Sequence, residues 1–81
     1  MKFSKIDLNS HIQKALAELN FLETTKIQSK AIPLLLKSET DLIGLAQTGT
    51  GKTGAFGIPI IEKIKIKKNY TQCIILCPTR E

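Results

Sequence analysis

Residues 46–53 read AQTGTGKT and follow directly on the apolar run LIGL. No other stretch restricts the fold of this chain as much. A short continuous apolar run bounded by turn residues is the pattern of a buried parallel strand. The glycine-containing loop comes next, and Gly51-Lys52-Thr53 then opens an amphipathic helical pattern. Small residues let successive backbone N–H groups turn toward one point, and the helix N-terminus adds partial positive charge there. Such a loop is built to hold phosphate. Gln47, Thr48, Gly49, Thr50 and Gly51 supply its backbone. Lys52 has the reach for β- and γ-phosphates, and the Thr53 hydroxyl suits Mg²⁺. The usual pattern, G-x-x-x-x-G-K-[ST], is met except at its first place, where Ala46 stands. A glycine turn that merely caps a helix is the alternative; the strand before and the helix after argue against it.

The rest of the chain supplies the frame. Asn9 or Ser10 can cap a helix over roughly residues 10–20, with Ile12, Ala15, Leu16 and Leu19 on one face. A second helix is expected over about residues 25–37, burying Ile27, Ala31, Leu34 and Leu35, with Pro33 kinking or breaking it. SETD (38–41) reads as a turn, and LIGLA (42–46) as the first strand. The helix after the loop is expected from about Gly51 to Lys65, bent at Pro59, and TQCIILCPT (71–79) reads as a second buried strand. Strand, loop, helix, strand is a βαβ unit, hence an α/β fold with a parallel sheet. The chain divides into a helical pair, 1–37, and the βαβ unit, 41–81.

Composition narrows the setting. Eighty-one residues allow at most one small domain, and 12 basic against 7 acidic residues give a net charge of +5. That excess is compatible with a polyanionic partner without demanding one. MKFSKIDLNS lacks the apolar core of a signal peptide, and no run approaches the ~18 apolar residues of a membrane span. Cys73 and Cys77, if extended, lie ~13 Å apart at ~3.3 Å per residue, beyond disulfide reach. Both read as buried thiols of a cytoplasmic protein. Lys63, Lys65, Lys67 and Lys68 read as a solvated face, and His11 has no evident role.

The Ala46 variant of the loop, A-x-T-G-x-G-K-T, resembles that of the DEAD-box family of RNA helicases. NFLETTKIQ (20–28) is similar to that family's Q motif, G-F-x-x-P-T-x-I-Q, with Phe21, Thr25, Ile27 and Gln28 in the motif's places. Phe3 falls at the separate upstream aromatic position, and PTRE (78–81) resembles the start of motif Ia. The resemblance implies the first part of a RecA-like P-loop domain that uses ATP and Mg²⁺. It implies adenine recognition by Phe21, Thr25 and Gln28, and RNA-backbone contact by Pro78, Thr79 and Arg80. Each residue also has a plainer reading. Thr25-x-x-Gln28 is a helix capping box, Phe21 can staple its helix, and Phe3 can simply anchor the N-terminal arm.

Two places depart from the motif. Asn20 replaces its glycine, a mild change because Asn tolerates positive φ. Thr24 replaces its proline, which is expected to loosen the turn. The D-E-A-D segment, the S-A-T motif and the second domain are not among these 81 residues. Hydrolysis by the chain alone is therefore expected to be negligible, since phosphoryl transfer depends on positioning by those parts. The ending at Glu81 looks like truncation, and the two strands are expected to lack their sheet partners. Two readings stand: the opening part of an ATP-dependent RNA helicase, or an isolated module that holds adenine nucleotide weakly or is inert. A different P-loop NTPase leaves TKIQ and PTRE unexplained.

Overall fold

The computed structural model describes residues 1–37 and 40–78. A 3-10 turn over Phe3–Lys5 leads to α1 (Ser10–Glu18), α2 (Lys26–Lys37) and α3 (Lys52–Lys63). Each helix starts and stops for a reason visible in its sequence. Asn9 caps α1, its Oδ1 accepting from the Ile12 N–H at 3.0 Å. At the other end Phe21 N–H donates to Leu16 O and Asn20 N–H to Ala17 O, with Asn20 at φ 61°. That pair of bonds around a left-handed residue is a Schellman ending. The Asn for Gly exchange is thus accommodated in the conformation the position requires.

α2 opens on the capping box: Thr25 N–H donates to Gln28 Oε1 at 3.0 Å, and Gln28 N–H approaches Thr25 Oγ1 at 3.5 Å. The helix continues through Pro33 without a break. α3 likewise continues through Pro59 but ends at Lys63, two residues short of the expected end. Beyond Ile64 the chain turns back, and the Gln72 amide brackets Lys65, donating to its carbonyl and accepting from its N–H at 2.8 Å each.

The core sits where the N-terminal arm meets the helices. Phe3, Ile6, Leu8, Leu16 and Ile32 are buried together, with Ile12, Leu36 and Ile58 packed against them. Ile32 is fully enclosed; full burial of such a side chain is worth about 1.5–3 kcal/mol. The carbonyls of Phe3 and Ile6 both accept from Gln13 Nε2, at 2.9 and 2.8 Å. Glu62 ties the end of α3 to the start of α1, accepting from Asn9 N–H at 2.6 Å and Asn9 Nδ2 at 3.3 Å.

Several expectations are corrected here. On α2, Ala31 is buried as expected, together with Gln28 and Ile32, while Leu34 is exposed and Ile27 and Leu35 are only half-buried. On α1 only Leu16 is buried, and Leu19 is 63% exposed. No strand forms among the described residues beyond an isolated antiparallel bridge between Lys2 and Glu23. Residues 42–46 and 71–77 lie in irregular chain, with Leu45 90% and Leu76 88% exposed. Cys73 and Cys77, read as buried, are free and exposed. A strand satisfies its backbone only through neighbours, and these segments have none here. Ser38 and Glu39 of the expected turn lie outside the described residues.

Candidate functional site

The phosphate-type loop takes the shape its glycines permit. Gly49 and Gly51 adopt φ 81° and 88°, a region where side chains cost ~1–2 kcal/mol. At Gly51 the reason is also contact. A Cβ there would stand 2.6 Å from Gln28 Nε2 and 2.9 Å from Thr25 Oγ1, and one at Gly54 would stand 2.8 Å from Gln28 Nε2. The glycines therefore let the start of α3 press directly against the start of α2. The Gln28 amide seals that contact, donating to Gly51 O at 3.1 Å. Within the loop, Thr50 Oγ1 donates to Gln47 O. Gly51 precedes α3 and no side chain caps the helix, so its first-turn amides remain available to an anion.

A cavity of about 810 Å³ opens beside this junction, bounded by α1 on one side and α3 on the other. Phe21, Thr25 and Gln28 line it together with Gly49, Gly51 and Thr53. The two stretches singled out by sequence thus share one space. Phe21 is 54% exposed toward solvent and cavity, delivered there by the Schellman turn immediately before it. Gln28 is 9% exposed and both ends of its amide are engaged. Each end still has one site to spare, a second N–H and a second lone pair. The capping-box reading is realised, and it leaves capacity for a ligand.

Other assigned residues fall elsewhere. Lys52 is exposed and lines a different cavity, beside Asp41 and Phe56 on the far side of α3. Gln47 and Thr48 are exposed and Thr50 half-buried, and none of these three borders the shared cavity. Pro78 is exposed at the end of the described chain, and Thr79 and Arg80 lie outside the described residues. Phe3, by contrast, borders the shared cavity; it is 3% exposed and also serves as the arm's anchor. Sequence reasoning missed Ile58 and Ile61 as cavity walls, and it missed the Asn9–Glu62 tie, which spans 53 residues and leaves no local signal.

Thr24 is a further correction. Its N–H donates to Met1 O at 2.8 Å and its hydroxyl to the same oxygen at 3.0 Å. A proline has neither donor. The exchange does not loosen the turn; it stitches the turn to the N-terminal arm.

The fold has a solved counterpart. It aligns with a TM-score of 0.80 and 38% sequence identity to the crystal structure of a DEAD box protein from the hyperthermophile Methanococcus jannaschii, covering 84% of this chain and 19% of that one. The arrangement of the chain is therefore similar to the corresponding part of a DEAD box protein. Residues 25–81 match the sequence profile of the DEAD/DEAH box helicases, and the chain belongs to that family. Among similar proteins are the DEAD-box ATP-dependent RNA helicase CshA of Geobacillus kaustophilus, 51% identical over 79 residues, and the ATP-dependent RNA helicase CshA of Listeria monocytogenes, 54% identical over 80. Those alignments take in 98% and 99% of this chain but only 17% and 15% of the relatives' length. No helix among the described residues is long and apolar enough to cross a membrane.

Proposed function

We propose that this chain is the N-terminal part of an ATP-dependent RNA helicase and forms the adenine-nucleotide side of its first domain. The observation that carries the reading is the shared cavity, where Phe21, Thr25 and Gln28 meet Gly49, Gly51 and Thr53. Adenine stacks on Phe21 and takes the spare donor and acceptor of the Gln28 amide, a pairing that suits its N6/N7 edge and not guanine. The phosphates lie on the backbone amides from Gln47 to Thr53 and draw in Lys52, which makes no ion pair among the described residues.

Magnesium fits as a companion of the nucleotide. No cluster of His, Cys, Asp or Glu among the described residues is able to hold a metal alone. Thr53 borders the cavity, and its hydroxyl has no hydrogen-bond partner among the described residues. Bound with the nucleotide, the ion would neutralise charge on the phosphate oxygens. In the longer protein, segments 42–46 and 71–79 become the parallel strands that carry the phosphate loop and the RNA contacts of Pro78, Thr79 and Arg80. RNA unwinding coupled to ATP hydrolysis is the activity of that longer protein, in the cytoplasm. The 81 residues alone bind nucleotide and do not turn it over.

Calorimetric titration with Mg-ADP and Mg-GDP tests this. The expected result is saturable ADP binding, weakened by Phe21→Ala and by Lys52→Ala, with GDP at least tenfold weaker. Equal binding of the two nucleotides, or none, overturns it.

A further inference from the structure

The segment joining Phe21 to Thr25 is held in an unexpected way. Among the described residues, every hydrogen bond that Leu22 and Thr24 make goes to the N-terminal arm. Leu22 O accepts from Phe3 N–H at 3.0 Å, and Met1 O accepts from Thr24 twice. Between them Lys2 and Glu23 pair as an antiparallel bridge. The N-terminal ammonium lies 3.8 Å from Glu23 Oε2, an exposed pair that adds little. The arm itself is fixed from behind by the buried Phe3 ring and by Gln13 on the Phe3 carbonyl. A continuous line of contacts therefore runs from the core, through residues 1–3, to the backbone that carries three cavity-lining residues, Phe21, Glu23 and Thr25.

From this we infer that Thr24 is a positioning residue for the adenine side of the nucleotide site, acting through the arm. The inference rests on the nucleotide reading given above. The Schellman ending fixes the chain up to Phe21, and the capping box fixes it from Thr25 onward. The three residues between set the spacing and tilt of the Phe21 ring relative to the Gln28 amide. Two donors on one carbonyl restrict that stretch without touching the ligand. The phosphate loop is braced separately, by Gln28 on Gly51, so Thr24 bears on the base and not on the phosphates.

That division gives the test. The full 81-residue chain and its Thr24→Ser, Thr24→Val and Thr24→Pro variants are titrated with Mg-ADP and, separately, with Mg-pyrophosphate. Valine keeps the N–H but loses the hydroxyl, and proline loses both. Thr24→Val is expected to weaken ADP about three- to tenfold, the scale of one lost hydrogen bond, with Thr24→Pro weaker still. Pyrophosphate affinity is expected to stay unchanged throughout, and Thr24→Ser to bind ADP as the parent does. Mg-ADP is also expected to slow exchange of the Phe3 and Thr24 amides in the parent chain. ADP affinity unaltered in Thr24→Val overturns the inference. So does a parallel loss of ADP and pyrophosphate, which marks a general structural role. If Thr24→Pro does not fold, the valine and serine pair decides alone. A parent chain that binds pyrophosphate but not ADP instead removes the adenine reading itself, and this inference with it.

Discussion

Ile32 is completely buried, whereas Leu45 and Leu76, no less apolar, stand 90% and 88% exposed. The first belongs to the helical part of the chain, residues 1–37 with α3, and the others to the segments flanking α3. The difference lies in the backbone before it lies in the side chains. A helix satisfies its own N–H and C=O groups along its length, so α1, α2 and α3 need only caps and one shared apolar face. A strand satisfies nothing by itself, and its side chains cannot be buried until its neighbours arrive. Among the described residues the helices find packing partners, and the strand-like segments pair with no neighbouring strand.

That contrast is open to direct attack. The largest effect is expected in the core. Ile32→Ala should cost about 2–5 kcal/mol, enough to erase a cooperative thermal transition in a domain this small. Ile74→Ala, at a side chain 75% exposed, should stay within about 0.5 kcal/mol. Comparable losses at the two sites, measured by urea unfolding, would mean that the 71–77 segment is packed in solution.

Next comes the joint between helices. Gly51→Ala places a Cβ in a left-handed residue against Gln28 and Thr25; it should weaken Mg-ADP at least tenfold by calorimetry, through a strain of about 1–2 kcal/mol plus the clash. Gln28→Ala removes the capping bond and the brace on Gly51 together. Its expected cost is about 1–3 kcal/mol in urea unfolding, with loss of ADP binding. Asn9→Ala removes the α1 cap and one Glu62 contact, and should cost about 1 kcal/mol. The smallest effect on folding is expected at Leu76→Lys, within about 0.5 kcal/mol. The same change should reduce self-association in sedimentation, because exposed apolar segments with unpaired backbone invite pairing between copies.

The same distinction explains what the sequence made legible. Helix starts were readable because caps are local: Asn9, the Thr25–Gln28 box and the glycines before Lys52 each act within one turn. The glycine loop was readable because its residue types follow from its geometry. Burial was less readable, since the apolar face of α1 lines an open cavity and Leu34 of α2 is exposed while Ile32 is enclosed. Sheet formation was not readable at all, because Ile43 or Ile74 cannot declare whether a neighbouring strand is there. Thr24 shows the reverse case. Against a motif pattern it looked like a loss, and only the position of Met1 O reveals the two bonds it gains.

The most direct test is a two-dimensional amide NMR spectrum of the 81-residue chain, recorded free, with Mg-ADP and with Mg-GDP. A nucleotide held between the two helices predicts ADP-induced shifts at both Gly49–Thr53 and Phe21–Gln28, with far smaller changes from GDP. Shifts confined to the glycine loop, or the same for both nucleotides, would show that the cavity takes phosphate without reading the base, and would contradict the site described here.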